Sequence, residues 1–238
     1  MLAIIGKAEI GLTREALKQF KLLSTTGCVP PNAPPGHTDG WGIASYKNGS
    51  LTELKKSTHL AATDPQFTEA SSCITSEMSD CVIAHLRKAS VGDNKIVNTH
   101  PLVADNILLC HNGTIYNAHT ISLKDQKMEG ETDSERFLRY VIELRRSSSS
   151  LREAFIRATQ LIHTKDYTAM NMFVCDGKSL LAFRDFAKNS DYYTLYQGTS
   201  PDAKTTVFCS EKLALSGVTW RLLKNQELIE IPLPISAS

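Results

Sequence analysis

Three short stretches carry side chains that, once brought together, could hold a small charged molecule. In Ala84-His85-Leu86-Arg87-Lys88-Ala89-Ser90-Val91-Gly92, the guanidinium of Arg87 is a planar two-pronged fork that suits a carboxylate. A surface ion pair is its other reading. In Gly130-Glu131-Thr132-Asp133-Ser134-Glu135, Asp133 falls just inside a helix start. An acid there complements the helix dipole, and the same dipole keeps it ionised to meet an ammonium. In His111-Asn112-Gly113-Thr114, Asn112 and Gly113 make either a turn between strands or a pair of donors. Those donors, a side-chain NH₂ and a backbone N–H, would receive the negative charge that builds on a carbonyl oxygen under attack. Losing one such donor typically costs about 10²–10³ in rate. Taken singly, His85 and His100 read as structural histidines, and Trp41 and His100 as residues that shape loops.

The elements around these residues follow from periodicity and punctuation. Ala3-Ile4-Ile5 reads as a short strand ending at Gly6, and Ala16, Leu17, Phe20 and Leu23 recur at helical spacing. Four prolines between Cys28 and Gly36 rule out helix or central strand there. Ile43–Tyr46 and Leu51–Leu54 flank Asn48-Gly49, a primed hairpin turn. Asp64-Pro65 marks a helix start. Strands are expected at Cys81–Arg87 and Ile107–His111, so His85 and Arg87 share a face, as do Cys110 and Asn112. Thr132–Glu135 and Ser150–Glu153 read as capping boxes, the second leading into the apolar stripe Leu151, Ala154, Phe155, Ala158, Leu161 and Ile162. A turn at Asp176-Gly177 and runs at Ser179–Phe183, Tyr192–Tyr196, Thr205–Cys209 and Glu227–Ile231 complete a strand-rich end. Without strict βαβ alternation, the order suits an α+β fold of two antiparallel sheets between helical layers. No internal repeat or linker divides residues 1–238, which are expected to form a single domain.

Composition narrows the partners. The chain has 238 residues, with 26 Lys+Arg against 25 Asp+Glu. That balance gives no electrostatic reason to expect nucleic acid or an anionic membrane. No apolar run approaches the ~20 residues of a membrane span, and the N-terminal stretch is too short for a signal peptide. The six cysteines form no CxxC pair and stand near no zinc-spaced histidines. Reduced, mostly buried thiols in a cytoplasmic protein without metal or other cofactor are expected.

Together with Gly36-His37-Thr38-Asp39-Gly40-Trp41-Gly42 and Asn98-Thr99-His100-Pro101, the three stretches resemble, in order and spacing, the glutaminase domain of class II glutamine amidotransferases. These belong to the N-terminal-nucleophile hydrolases, and the likeness is greatest to the small stand-alone members. It runs from Ala3-Ile4-Ile5-Gly6 through Ser210-Glu211-Lys212-Leu213 and Trp220. The resemblance implies a four-layer αββα sandwich and a pocket for glutamine or another γ-glutamyl amide. Arg87 would bind the substrate carboxylate and Asp133 its ammonium. Asn112 and Gly113 would form the oxyanion hole, and Ser90 the small hydroxyl near the carboxylate.

One position departs from the family pattern. In active members an N-terminal Cys attacks the amide with its own α-amine as base; the amine's pKa of about 7.7–8.0 suits that task. Aligning Ala3-Ile4-Ile5-Gly6 on the family's first strand puts Leu2 at the nucleophile position, where it has no lone pair to attack with. A bulky second residue is also expected to keep Met1 in place. Cys110 reads as core filling, and Cys28 would become N-terminal only by cleavage after Gly27. Two functions stay open: an amide hydrolase, impaired by Leu2 and supplying ammonia to a partner synthase chain, or a catalytically silent module that binds glutamine or regulates a partner.

Overall fold

Alternation along the first strand sets the layering. In the computed structural model, which describes residues 1–6, 10–30 and 33–234, β1 (Leu2–Gly6) sends Leu2 and Ile4 to one face and Ala3 and Ile5 to the other. All four are buried, so β1 is an interior strand. It lies antiparallel between β4 (Cys81–Leu86) and β10 (Thr205–Cys209), with Leu2 opposite both Ala84 and Cys209. The sheet is completed by β2 (Trp41–Lys47), β3 (Ser50–Ser57), β9 (Tyr196–Thr199) and β11 (Thr219–Leu222), in the order β11-β9-β10-β1-β4-β2-β3. A second sheet runs β12-β8-β7-β6-β5, from β5 (Leu102–Ala104), β6 (Ile107–Asn112), β7 (Asn171–Cys175), β8 (Ser179–Arg184) and β12 (Glu227–Pro232). Every pairing is antiparallel.

Three apolar clusters make four layers. Leu2, Ile4, Trp41 and Val82 pack beneath α1 (Ile10–Thr26) and α2 (Pro65–Glu77), through Leu17, Phe20, Phe67 and Ile74. Ala3, Ile5, Ile83, Cys110 and Phe173 fill the space between the sheets. Leu109, Met172 and Val174 pack against α3 (Asp133–Arg145) and α4 (Leu151–Ile162), through Phe137, Val141 and Phe155. The result is the expected αββα sandwich. No helix among the described residues is long and apolar enough to cross a membrane.

Local expectations held where the signal was local. Asn48 and Gly49 adopt φ of +51° and +78° in the β2–β3 hairpin, and Asp64 caps α2 through Gln66 N–H. The capping boxes are only half formed. Thr132 Oγ1 accepts from Glu135 N–H and Ser150 Oγ from Glu153 N–H. The two carboxylates instead reach further back: Glu135 accepts from the amides of Glu129 and Gly130, and Glu153 from that of Ser149. The strand expected at Tyr192–Tyr196 starts only at Tyr196. The Arg184 guanidinium donates to the carbonyls of Tyr193, Ser190 and Leu223, so Tyr193 O is committed to a side chain and not to a sheet ladder. β5 and the exposed β11 were not anticipated. All six cysteines are free, four of them buried and Cys28 and Cys73 exposed.

Candidate functional site

The ends of several strands open onto one cavity of about 290 Å³. Its lining includes Arg87, Ser90, Asn112, Gly113 and Asp133, so five of the six residues singled out from sequence meet at one place. The volume is at the small end for a ligand pocket. Among the described residues no cluster of His, Cys, Asp and Glu could hold a metal ion.

Arg87 stands one residue past β4, and its backbone is held straight by Gly40 and Asp39: Arg87 N–H donates to Gly40 O at 2.8 Å and Asp39 N–H to Arg87 O at 3.0 Å. Arg87 is buried, 3% exposed as a residue. It donates to Asn94 Oδ1 at 3.3 Å, Val91 O at 3.3 Å and Gly92 O at 3.1 Å. All three acceptors are neutral. Burial pushes its pKa down and the charge of Asp39 pulls it back up; an arginine stays protonated throughout. The loop that supplies two of those carbonyls is braced by buried Asn98. Its Nδ2 donates to Asp93 O and its Oδ1 accepts from Glu131 N–H, tying the loop to the start of α3.

Asp133 opens α3 and is also buried, 7% exposed. Its Oδ2 accepts from Ile115 N–H. Neither Asp133 nor Arg87 is in an ion pair among the described residues. A buried charge without a partner is costly, so the cavity carries one unpaired site of each sign. Ser90 is more exposed, and its hydroxyl accepts from Thr114 Oγ1 at 3.1 Å, just past Asn112-Gly113.

The end of β6 is built by its neighbours. His111 is buried, with Nε2 3.0 Å from Ala169 O and Nδ1 2.9 Å from Ser134 Oγ. The carbonyl accepts only, so Nε2 carries the proton and Nδ1 accepts from the serine. Gly113 has φ +144°, and a Cβ there would overlap the same Ala169 carbonyl oxygen. The residue must therefore be glycine for the two segments to meet. Asn112 Oδ1 lies 3.0 Å from His85 Nε2. The amide oxygen accepts only, so the histidine is the donor and the Asn112 NH₂ is left without a partner among the described residues. Burial, followed by the charge of His100, drives His85 well below the ordinary histidine range, which keeps it a neutral donor. Taken as a structural histidine from sequence, His85 thus orients Asn112. His100 packs on it, ring centroids 4.6 Å apart, with both ring nitrogens buried and without a hydrogen-bond partner among the described residues. Trp41 anchors the loops as expected, its indole N–H donating to Asp64 Oδ2 at 2.9 Å.

Leu2 is the sixth residue, and its side chain does not line the cavity. It is fully buried against the α1–α2 layer. Met1 lies between the sheets, where its amine donates to Ser210 Oγ at 2.9 Å and its pKa is pushed down by burial. Cys110 is likewise fully buried between the sheets, with burial raising its thiol, and does not reach the cavity. The cavity wall does contain Cys28, His37, Tyr192, Tyr193 and Glu211, which sequence reasoning had not assigned to it. They come from three distant segments, so no local pattern announces them. Glu211 Oε1 accepts from Cys28 N–H at 3.0 Å and lies 3.8 Å from His37 Nε2. The negative charge of Glu211 is the main cause holding the Cys28 thiol above its ordinary value, which disfavours the nucleophilic thiolate.

Comparison with known proteins bears on the family and the fold. The model of the family described as glutamine amidotransferases class-II matches residues 18–227. An uncharacterized protein of Methanocaldococcus jannaschii is 32% identical over 168 residues, covering 67% of this chain and 46% of that protein. YafJ of Escherichia coli, which carries a provisional glutamine amidotransferase name, is 25% identical over 174 residues, 67% of this chain and 66% of its own. The chain therefore spans about half to two-thirds of these curated relatives. In fold it is similar to the glutamine phosphoribosylpyrophosphate amidotransferase of Bacillus subtilis. That likeness has a TM-score of 0.66 at 19% identity, over 97% of this chain and 46% of the other.

Proposed function

The chain belongs to the class-II glutamine amidotransferases, and from that premise we propose that its cavity binds free glutamine, or another γ-glutamyl amide, without cleaving it efficiently. One observation carries this reading: a buried arginine and a buried aspartate line the same cavity, and neither is paired with an opposite charge among the described residues. An α-amino acid supplies both missing partners. Its carboxylate takes the Arg87 fork and its ammonium meets Asp133. The side-chain amide then extends toward Asn112, whose NH₂ is fixed by His85 to face a carbonyl oxygen.

Polarising a carbonyl is only half of amide cleavage. The other half needs an attacking atom, and Leu2 supplies none, while Cys110 is sealed between the sheets. Calorimetry with glutamine tests the binding. Saturable heat that disappears in Arg87→Ala is expected, and equal weak heats in both proteins would leave the cavity without this ligand.

The retained oxyanion geometry at Asn112 favours a second reading, an impaired amide hydrolase that hands ammonia to a synthase on another chain. Ammonia release above an Asn112→Ala control would support it. Loss of that release in Cys28→Ser would assign the attack to the wall thiol.

A further inference from the structure

The cavity has lining beyond the groups that the proposed ligand's α-amino-acid end and carbonyl would use. In the first sheet β1 lies between β4 and β10, and both run antiparallel to it. Their C-terminal ends therefore flank the start of β1 on opposite sides. Arg87 stands past the end of β4, and Ser210-Glu211 past the end of β10. In the proposed pose, with the carboxylate on Arg87 and the carbonyl near Asn112, an amide nitrogen turned toward the β10 side would face this wall. Unsubstituted glutamine ends there in NH₂, yet the wall goes on through Cys28, Pro30, His37, Tyr192 and Glu211.

That extension has its own chemistry. Tyr192 and Tyr193 pack edge to face with ring centroids 4.8 Å apart, a surface suited to an alkyl chain or a cation. Glu211 brings the one carboxylate of this wall. Burial pushes its pKa up, but the hydrogen bonds and charge of His37 and Cys28 outweigh burial and hold it below the ordinary range. It is therefore ionised at neutral pH. His37 Nε2 lies 3.8 Å from its carboxylate. Two other basic groups stand beside this wall: Lys212, over the Tyr196 ring and in no ion pair among the described residues, and the buried α-amine of Met1, which donates to Ser210 Oγ and feels the charge of Glu211.

We propose that the Cys28–Tyr192–Glu211 wall is a second subsite that accepts the N-substituent of a γ-glutamyl amide of an organic amine, and favours one ending in a cationic ammonium. This rests on the glutamine-pocket reading above and extends it from glutamine itself to N-substituted amides.

Titration calorimetry of the full chain with three probes tests it: glutamine, γ-glutamylethylamide, and the γ-glutamyl monoamide of ethylenediamine. The cationic monoamide is expected to bind on the order of tenfold tighter than the ethylamide. Glu211→Gln, which keeps an acceptor for Cys28 N–H, should bring the two within about twofold while leaving glutamine unchanged. Tyr192→Leu should weaken both substituted amides and spare glutamine. If glutamine binds while the substituted amides do not, or Glu211→Gln and Tyr192→Leu move nothing, the second subsite is wrong and the pocket reading stands. If none of the three probes binds and Arg87→Ala behaves as wild type, the pocket reading itself has failed.

Discussion

The end of β6 and the start of β1 face the same question in opposite ways. At the end of β6, polar groups are held open: Asn112 is oriented by His85, and Gly113 is pressed against Ala169. At the start of β1, Leu2 is sunk in the α1–α2 layer with no exposed surface. One end is preorganised to receive charge from a ligand, and the other is finished as hydrophobic core. On the reading proposed above, recognition of an amide and attack upon it would be separable in this fold, because different strands would supply them.

The contrast can be broken from either side. The largest effect is expected at Arg87, which loses its only charged interaction with ligand on truncation. Arg87→Ala should weaken glutamine binding by roughly 2–5 kcal/mol, about 30-fold or more, read by calorimetry. Leu2→Ala should act on stability instead, costing about 2–5 kcal/mol for a fully buried leucine. The urea midpoint would report it, with glutamine affinity little changed in the protein that remains folded.

His85 sharpens the comparison, because it acts on β6 from β4. His85→Ala removes the donor that orients Asn112 and should weaken glutamine binding by about 1 kcal/mol, roughly fivefold. His85→Gln, with an amide N–H in its place, should restore part of the loss. A purely space-filling role would give no such rescue.

The smallest effect is a pH dependence. His85 and His100 are both driven well below the ordinary value of about 6.5, chiefly by burial. Their folded pKa values are depressed, so the unfolded chain takes up protons first as pH falls. Stability is complete above about 6.5 and is lost as pH drops below it, by up to about 1.4 kcal/mol per unit for each histidine. His100→Leu should flatten that slope in urea titrations at pH 5 and 7, since both nitrogens of His100 are without a hydrogen-bond partner among the described residues.

How much was legible in the sequence depended on range. The shared face of His85 and Arg87 follows from a period of two and held. Asp133 and Thr132 at the start of α3 are local capping chemistry and held as well. The reach of Glu135 to Gly130 depends on how the preceding loop folds back, which no capping pattern encodes. Tyr192–Tyr196 reads as a strand because its aromatic content suits one, but long-range side chains take two of its carbonyls: Arg184 that of Tyr193 and Asn171 that of Thr194. Alternation in β1 separates Leu2 and Ile4 from Ala3 and Ile5 without saying which pair meets the helices. The wall of Cys28, His37 and Glu211 joins segments more than 170 residues apart, and only the assembled sheet brings them together.

On the reading proposed, the pocket holds glutamine and does not open its amide efficiently. Side-chain ¹⁵N-labelled glutamine, followed by NMR in the presence of stoichiometric protein, tests both halves in one tube. The account predicts a saturable change in the bound carboxamide signal that vanishes with Arg87→Ala, and no [¹⁵N]ammonium above an Asn112→Ala control. An unperturbed carboxamide signal, or steady growth of [¹⁵N]ammonium above that control, would contradict it.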